Sequence, residues 1–176
     1  SPYQSVSAFA GSPLMVALEP LVSSGWLAPP QAPDGGFDAL RVDFAHVVPW
    51  RQQQLRMAFQ GFTAKNSMIE QQAFAEWRAQ EASWLDDYTL FMALETENGG
   101  KAWWHWPDAV CRRDADALVA ARARLADEIG FWAFVQWCFD TQLAVLKHYA
   151  NRQGVAIMGD LPIFIAHHSA DGWSRS

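Results

Sequence analysis

Asp160 is the residue best placed to do chemistry. It follows Val155, Ala156, Ile157 and Met158, an apolar run with no polar alternation. Such runs read as strands buried on both faces, the kind found in parallel sheets flanked by helices. Residues 155–164 are therefore expected to form a buried strand segment. A carboxylate at its end would sit where α/β barrels carry their active sites. There it could accept hydrogen bonds from substrate hydroxyls. The bland alternative is a turn cap or a partner for a buried Arg. Pro162 points to an irregular exit from the strand, because Pro cannot donate to a ladder.

Other candidates read less sharply. His167 and His168 are adjacent, so on an extended chain they point to opposite sides and make poor joint metal ligands. No Asp/Glu/His/Cys set with zinc spacing supports them, and loop histidines are the expectation. Asp86 and Asp87 diverge by about 100° on a helix, which disfavours a shared substrate and favours solvation or structural hydrogen bonding. No G-x-S-x-G elbow, P-loop or dinucleotide fingerprint occurs. Cys111 and Cys138 form no CxxC pair, and Cys138, inside an apolar helical run, reads as a small core residue. Ten tryptophans are unusual for 176 residues. Aromatic faces stack on sugar rings, which makes carbohydrate handling an option, while composition alone favours the filling of cores and interfaces.

The elements that must position these groups follow from pattern and composition. At 51% hydrophobic residues and net charge −6, the chain reads as folded, without a basic stripe for nucleic acid or anionic membrane. Ser12-Pro13 looks like a helix start, and Pro20 predicts a kink or early end. Residues 41–48 read as extended or irregular, and Pro49 as the opening of a second helix. Two helices are expected over about 67–82 and 84–94. A loop with the aromatic cluster Trp103-Trp104-His105-Trp106 follows. Further helices are expected over 114–126 and 129–150, the latter stopped by Gly154. A helix leading into an apolar strand is half of a βαβ unit.

Several blocks together resemble a family. Residues 1–14, Ser-Pro-Tyr-Gln through Gly11-Ser12-Pro13-Leu14, look like the loop of 4-α-glucanotransferases, or amylomaltases. Residues 84–94 and 103–107 are similar to a helix and the loop after it. Gly159-Asp160-Leu161-Pro162 through Ala166, with Ser169, Ala170, Asp171 and Trp173, resembles a third block. The blocks stand in the family's order across essentially the whole chain. Some positions depart from the usual pattern: His168 for Asp, Gly172 for Val, and Thr141 and Leu143 for Arg and Trp.

The resemblance implies an α/β fold, a partial (β/α)8 barrel with a large helical insertion. The expected division is 1–25, barrel loop and helix; 26–128, helical insertion; and 129–176, barrel helix, strand and loop. It implies retaining transfer of α-1,4-glucan segments between maltooligosaccharides, without a cofactor and in the cytoplasm. Such chemistry needs two carboxyl groups about 5 Å apart, which in this family lie on later strands, so no catalytic residue is assigned here. Substrate binding carries over to Tyr3, packed on the sugar at the cleavage point; Asp160, holding its hydroxyls; Ser1, close by; and Pro162, shaping the wall. Both ends of the chain read as cut, so a piece of a longer protein is expected. A non-catalytic α-glucan-binding module is the alternative, and a helical interaction domain, with Tyr3 and Asp160 far apart, is a third reading.

Overall fold

The computed structural model describes residues 5–33, 35–38, 40–159 and 164–175. Three long helices organise it: α2 (Phe44–Lys65), α3 (Met68–Glu97) and α6 (Ala126–Arg152). Shorter helices are α1 (Glu19–Ser23), α4 (Asp108–Cys111), α5 (Ala115–Arg124) and α7 (Ala170–Ser174). Single 3-10 turns lie at Pro13–Met15 and Trp103–His105.

Local chemistry explains most boundaries. The Asp43 carboxylate accepts from the Ala45 N–H and caps α2. The helix therefore starts at Phe44, ahead of the start expected at Pro49, which lies inside it. Asn66 adopts a left-handed conformation after α2, and the Ser67 hydroxyl caps α3. No breaker follows for 30 residues, so the two helices expected over 67–94 are one. Pro20 acts by opening α1 in its first turn, after the chain has left the 3-10 turn at Pro13. Gly154, at φ +75°, ends α6 as its type predicts.

The long helices pack as a bundle. On α3 and α6, Trp77 bonds Asp140, Tyr88 meets Gln136 and Thr96 meets Glu128, so the two run antiparallel. On α2, Arg56 pairs with Glu128, Phe59 meets Phe131 and Phe62 meets Phe134, so α2 runs alongside α6 in the same sense. Aromatic rings from Trp26, Phe62, Phe74, Phe134 and Trp137 fill the space between them. The Arg56 guanidinium makes a two-pronged bond to Glu128 and lies 4.1 Å from the Phe131 ring. By length and composition α6 could cross a bilayer, yet its residues 131–136 and Cys138 are core in this fold. Burial pushes the Cys138 thiol up, away from reactivity.

The expectation of a partial barrel is overturned: among the described residues there is no strand, and the architecture is helical. Val155 is 57% and Met158 93% exposed, and Phe164 is exposed as well. A strand exists only where a neighbour accepts its N–H groups and donates to its carbonyls. No such neighbour lies beside residues 155–159 among the described residues. Their apolar side chains therefore stay uncovered, which reverses the burial expected of them.

Two expectations follow from this packing. Phe134→Ala should lower unfolding free energy by about 3–5 kcal/mol, read from urea midpoints, because the site is closed on all sides. A loss under about 1 kcal/mol would mean that the aromatic cluster is not packed as described. The second concerns acid. Glu97 accepts two bonds from the Arg124 fork, which holds its carboxyl below the ordinary 4.5. Stability from this pair is present above that ordinary value and is lost as pH falls through the lower folded-state value. Glu97→Gln should therefore flatten the acid limb of a stability-against-pH curve, and an unchanged limb would contradict the pairing.

Candidate functional site

Ser1, Tyr3, Asp160 and Pro162 all lie outside the described residues. Among the described residues, segment 5–8 meets segment 169–171. The Ala170 N–H donates to the Val6 carbonyl at 2.8 Å. The Ala8 N–H donates to Asp171 Oδ2 at 2.7 Å. Two stretches more than 160 residues apart in sequence are thus joined directly.

The first of these segments is shaped from within. The Ser7 hydroxyl accepts from the N–H groups of Phe9 and Ala10, closing a tight turn. Two carboxamides from α6 then hold the chain after that turn. Gln136 Oε1 accepts from the Gly11 N–H at 2.8 Å, and its Nε2 donates to the Gly11 carbonyl at 3.0 Å. One and two-thirds turns later, Gln142 does the same to Ala17, at 2.7 and 3.0 Å. Each carboxamide satisfies both polar groups of one residue, as a neighbouring strand would. Gly11 has to be small here, since a Cβ would fall 2.2 Å from the Phe139 ring. The Arg51 guanidinium adds a bond to the Val16 carbonyl.

Gln136 also donates to the Tyr88 hydroxyl at 3.3 Å, inside the α3–α6 contact. Burial pushes the Tyr88 hydroxyl up, so it stays neutral. Sequence reasoning passed over Gln136, although a single carboxamide inside the apolar run 131–139 was the available signal.

The second segment is held by the aromatic cluster. Trp103 and Trp106 are buried, as expected of packing residues, while Trp104 is 42% exposed. Their partner is not the insertion alone. Trp103 Nε1 donates to the His167 carbonyl at 2.9 Å, and the Trp104 ring stacks on His167 at 4.7 Å. Trp106 and Phe91 pack on Trp173, whose Nε1 donates to the Val110 carbonyl. Residues distant in sequence are thus direct neighbours in space.

His168 stands between them. Its Nδ1 accepts from the Trp103 N–H at 3.3 Å, which leaves the proton on Nε2, 2.8 Å from Glu95 Oε1. His167 and His168 are therefore engaged in ring stacking and in hydrogen bonding, respectively. Asp87 pairs with Arg113 at 2.7 Å, while Asp86 is exposed, in keeping with a solvated or structurally bonded pair.

Gln136→Leu leaves the Gly11 amide and carbonyl without these partners. It should destabilise the chain by about 2 kcal/mol and raise amide exchange over residues 9–12. Wild-type protection in that variant would show that the carboxamide does not hold the loop.

Comparison with known proteins adds to this picture. The sequence profile of the family described as 4-alpha-glucanotransferase matches residues 1–176. The chain is 45% identical over 175 residues to the 4-alpha-glucanotransferase of Thermus thermophilus, covering 99% of this chain and 34% of that protein. It is 37% identical over 178 residues to that of Synechocystis sp., covering 99% of this chain and 35% of that one. A solved amylomaltase from Streptococcus agalactiae, in complex with acarbose, aligns with a TM-score of 0.90 at 32% identity. The alignment covers 99% of this chain and 35% of that one. The chain spans about a third of the length of the relatives it matches. With a profile match along its whole length, and relatives 45% and 37% identical that each match 99% of it, this chain belongs to the 4-alpha-glucanotransferase family.

Proposed function

We propose that this chain works as part of a 4-α-glucanotransferase that moves α-1,4-glucan segments between maltooligosaccharides. The observation that carries the reading is the family match over residues 1–176. The meeting of segment 5–8 with segment 169–171 supports it, because it joins parts of the first and third blocks that resemble the family. In this reading Tyr3 stacks on the sugar at the cleavage point and Asp160 accepts hydrogen bonds from its hydroxyls. Ser1 and Pro162 complete that wall. Contacts that tighten as the ring flattens lower the barrier to glycosyl transfer.

Retaining transfer proceeds through a covalent glycosyl-enzyme, formed by one carboxylate while a second carboxyl group protonates the leaving oxygen. We assign neither role to this chain. The helices over 26–128 are read as an insertion that braces the two binding segments. The protein needs no cofactor for this chemistry and acts in the cytoplasm.

The test is disproportionation of maltotriose. The full-length protein that carries this chain should release glucose and build longer maltooligosaccharides, and Asp160→Ala should reduce kcat/KM by at least about a hundredfold. The 176-residue chain alone should show no transfer. Transfer by the isolated chain would place the catalytic carboxyl groups within it. Tight maltoheptaose binding without any activity in the full-length protein would favour a glucan-binding module.

A further inference from the structure

We infer that Asp171 is a positioning residue for sugar binding, fastening the segment after Tyr3 to the segment after Asp160. The inference rests on the reading that Tyr3 and Asp160 hold the sugar. Its own evidence is the carboxylate of Asp171, which accepts the Ala8 N–H at 2.7 Å across 163 residues of sequence. A charged acceptor makes this bond stronger than one between neutral groups. The neighbouring bond from Ala170 N–H to the Val6 carbonyl, at 2.8 Å, sets the same register.

Asp171 is itself held firmly. It lies in the first turn of α7, whose cap is the Ser169 hydroxyl accepting the Gly172 N–H at 3.0 Å. Two residues on, Trp173 is fully buried, and its indole N–H is bonded to Val110. The Arg113 guanidinium lies 4.3 Å from the Trp173 ring. Asp171 is thus a half-buried carboxylate on a rigid mount, gripping a loop whose other fixed point is Gly11 on Gln136. A carboxylate at this depth adds little to global stability, but it sets where residues 5–8 run. Tyr3 is five residues upstream of Ala8 in the sequence, which is the link the inference draws between this bond and the sugar. A misplacement of about 1 Å in a positioning group costs up to about a hundredfold in rate.

The experiment uses the full-length protein with Asp171→Ala, Asp171→Ser and Asp171→Asn, alongside Tyr3→Ala and Asp160→Ala. Maltotriose kinetics, thermal midpoint and amide exchange over residues 5–11 are read for each. Asp171→Ala should lose about ten- to a hundredfold in kcat/KM with a thermal midpoint near wild type. Exchange over residues 5–11 should rise. Asp171→Asn keeps an oxygen within reach of the Ala8 N–H and should recover most of the activity and protection. Asp171→Ser, too short to reach, should behave like Asp171→Ala, and it carries the test if the alanine variant does not fold.

Wild-type kcat/KM in Asp171→Ala or Asp171→Ser, with Tyr3→Ala and Asp160→Ala impaired, overturns the inference and leaves the sugar-site reading intact. An asparagine variant as impaired as the alanine one also overturns it. Wild-type activity in both Tyr3→Ala and Asp160→Ala overturns the sugar-site reading, and the positioning role with it.

Discussion

Backbone amides and carbonyls drawn against a folded core need partners, and Gly11 and Ala17 find them in an unusual way. Residues 11–17 have no strand beside them among the described residues and form only a single 3-10 turn at Pro13–Met15. Two carboxamides of α6 supply the missing partners, each reading both polar groups of one residue. The rest of the arrangement depends on this. Gln136 is oriented by Tyr88, so the contact between α3 and α6 also fixes where the N-terminal segment runs. A shift of α6 along α3 would move Gly11 with it.

The tryptophans divide their labour accordingly. Trp26 and Trp137 join the phenylalanines between α2, α3 and α6. Trp106, Trp173 and His168 build a second cluster around Phe91, and Trp103 packs beside it on Trp104 and His167. Flat rings with a single N–H fill large gaps and still make one directed bond. Trp103 and Trp173 each place that bond on a backbone carbonyl, so aromatic packing and loop position are set together. The composition alone favoured core filling and left sugar stacking as an option. In the fold these rings are packing elements, with Trp104 the half-exposed member.

The uncovered surface has an equally simple cause. The second half of α6 and residues 155–158 expose Val145, Leu146, Tyr149, Val155 and Met158. Their apolar character is that of a core, and what they lack among the described residues is anything to pack against. Periodicity reports which side chains avoid water. It does not report whether the covering element is present. This is why a strand reading of 155–158 failed while the helix reading ahead of Gly154 agrees with the fold.

Much of the helical layout was legible locally. Ser67 as a cap and Gly154 as a stop act through groups within a few residues of themselves, so their effect is written in the sequence. Asp43 acts in the same short-range way, although the Pro49 signal concealed it. The family, too, was readable from the order of its blocks. What only the tertiary structure decided were the meetings across long stretches of chain: Asp171 with Ala8, Gln136 with Gly11, and His168 with Glu95 and Trp103. A hydrogen bond between residues more than 60 apart leaves no periodic trace in either segment. It exists because packing brings a loop against the particular helix face or turn that carries its partner.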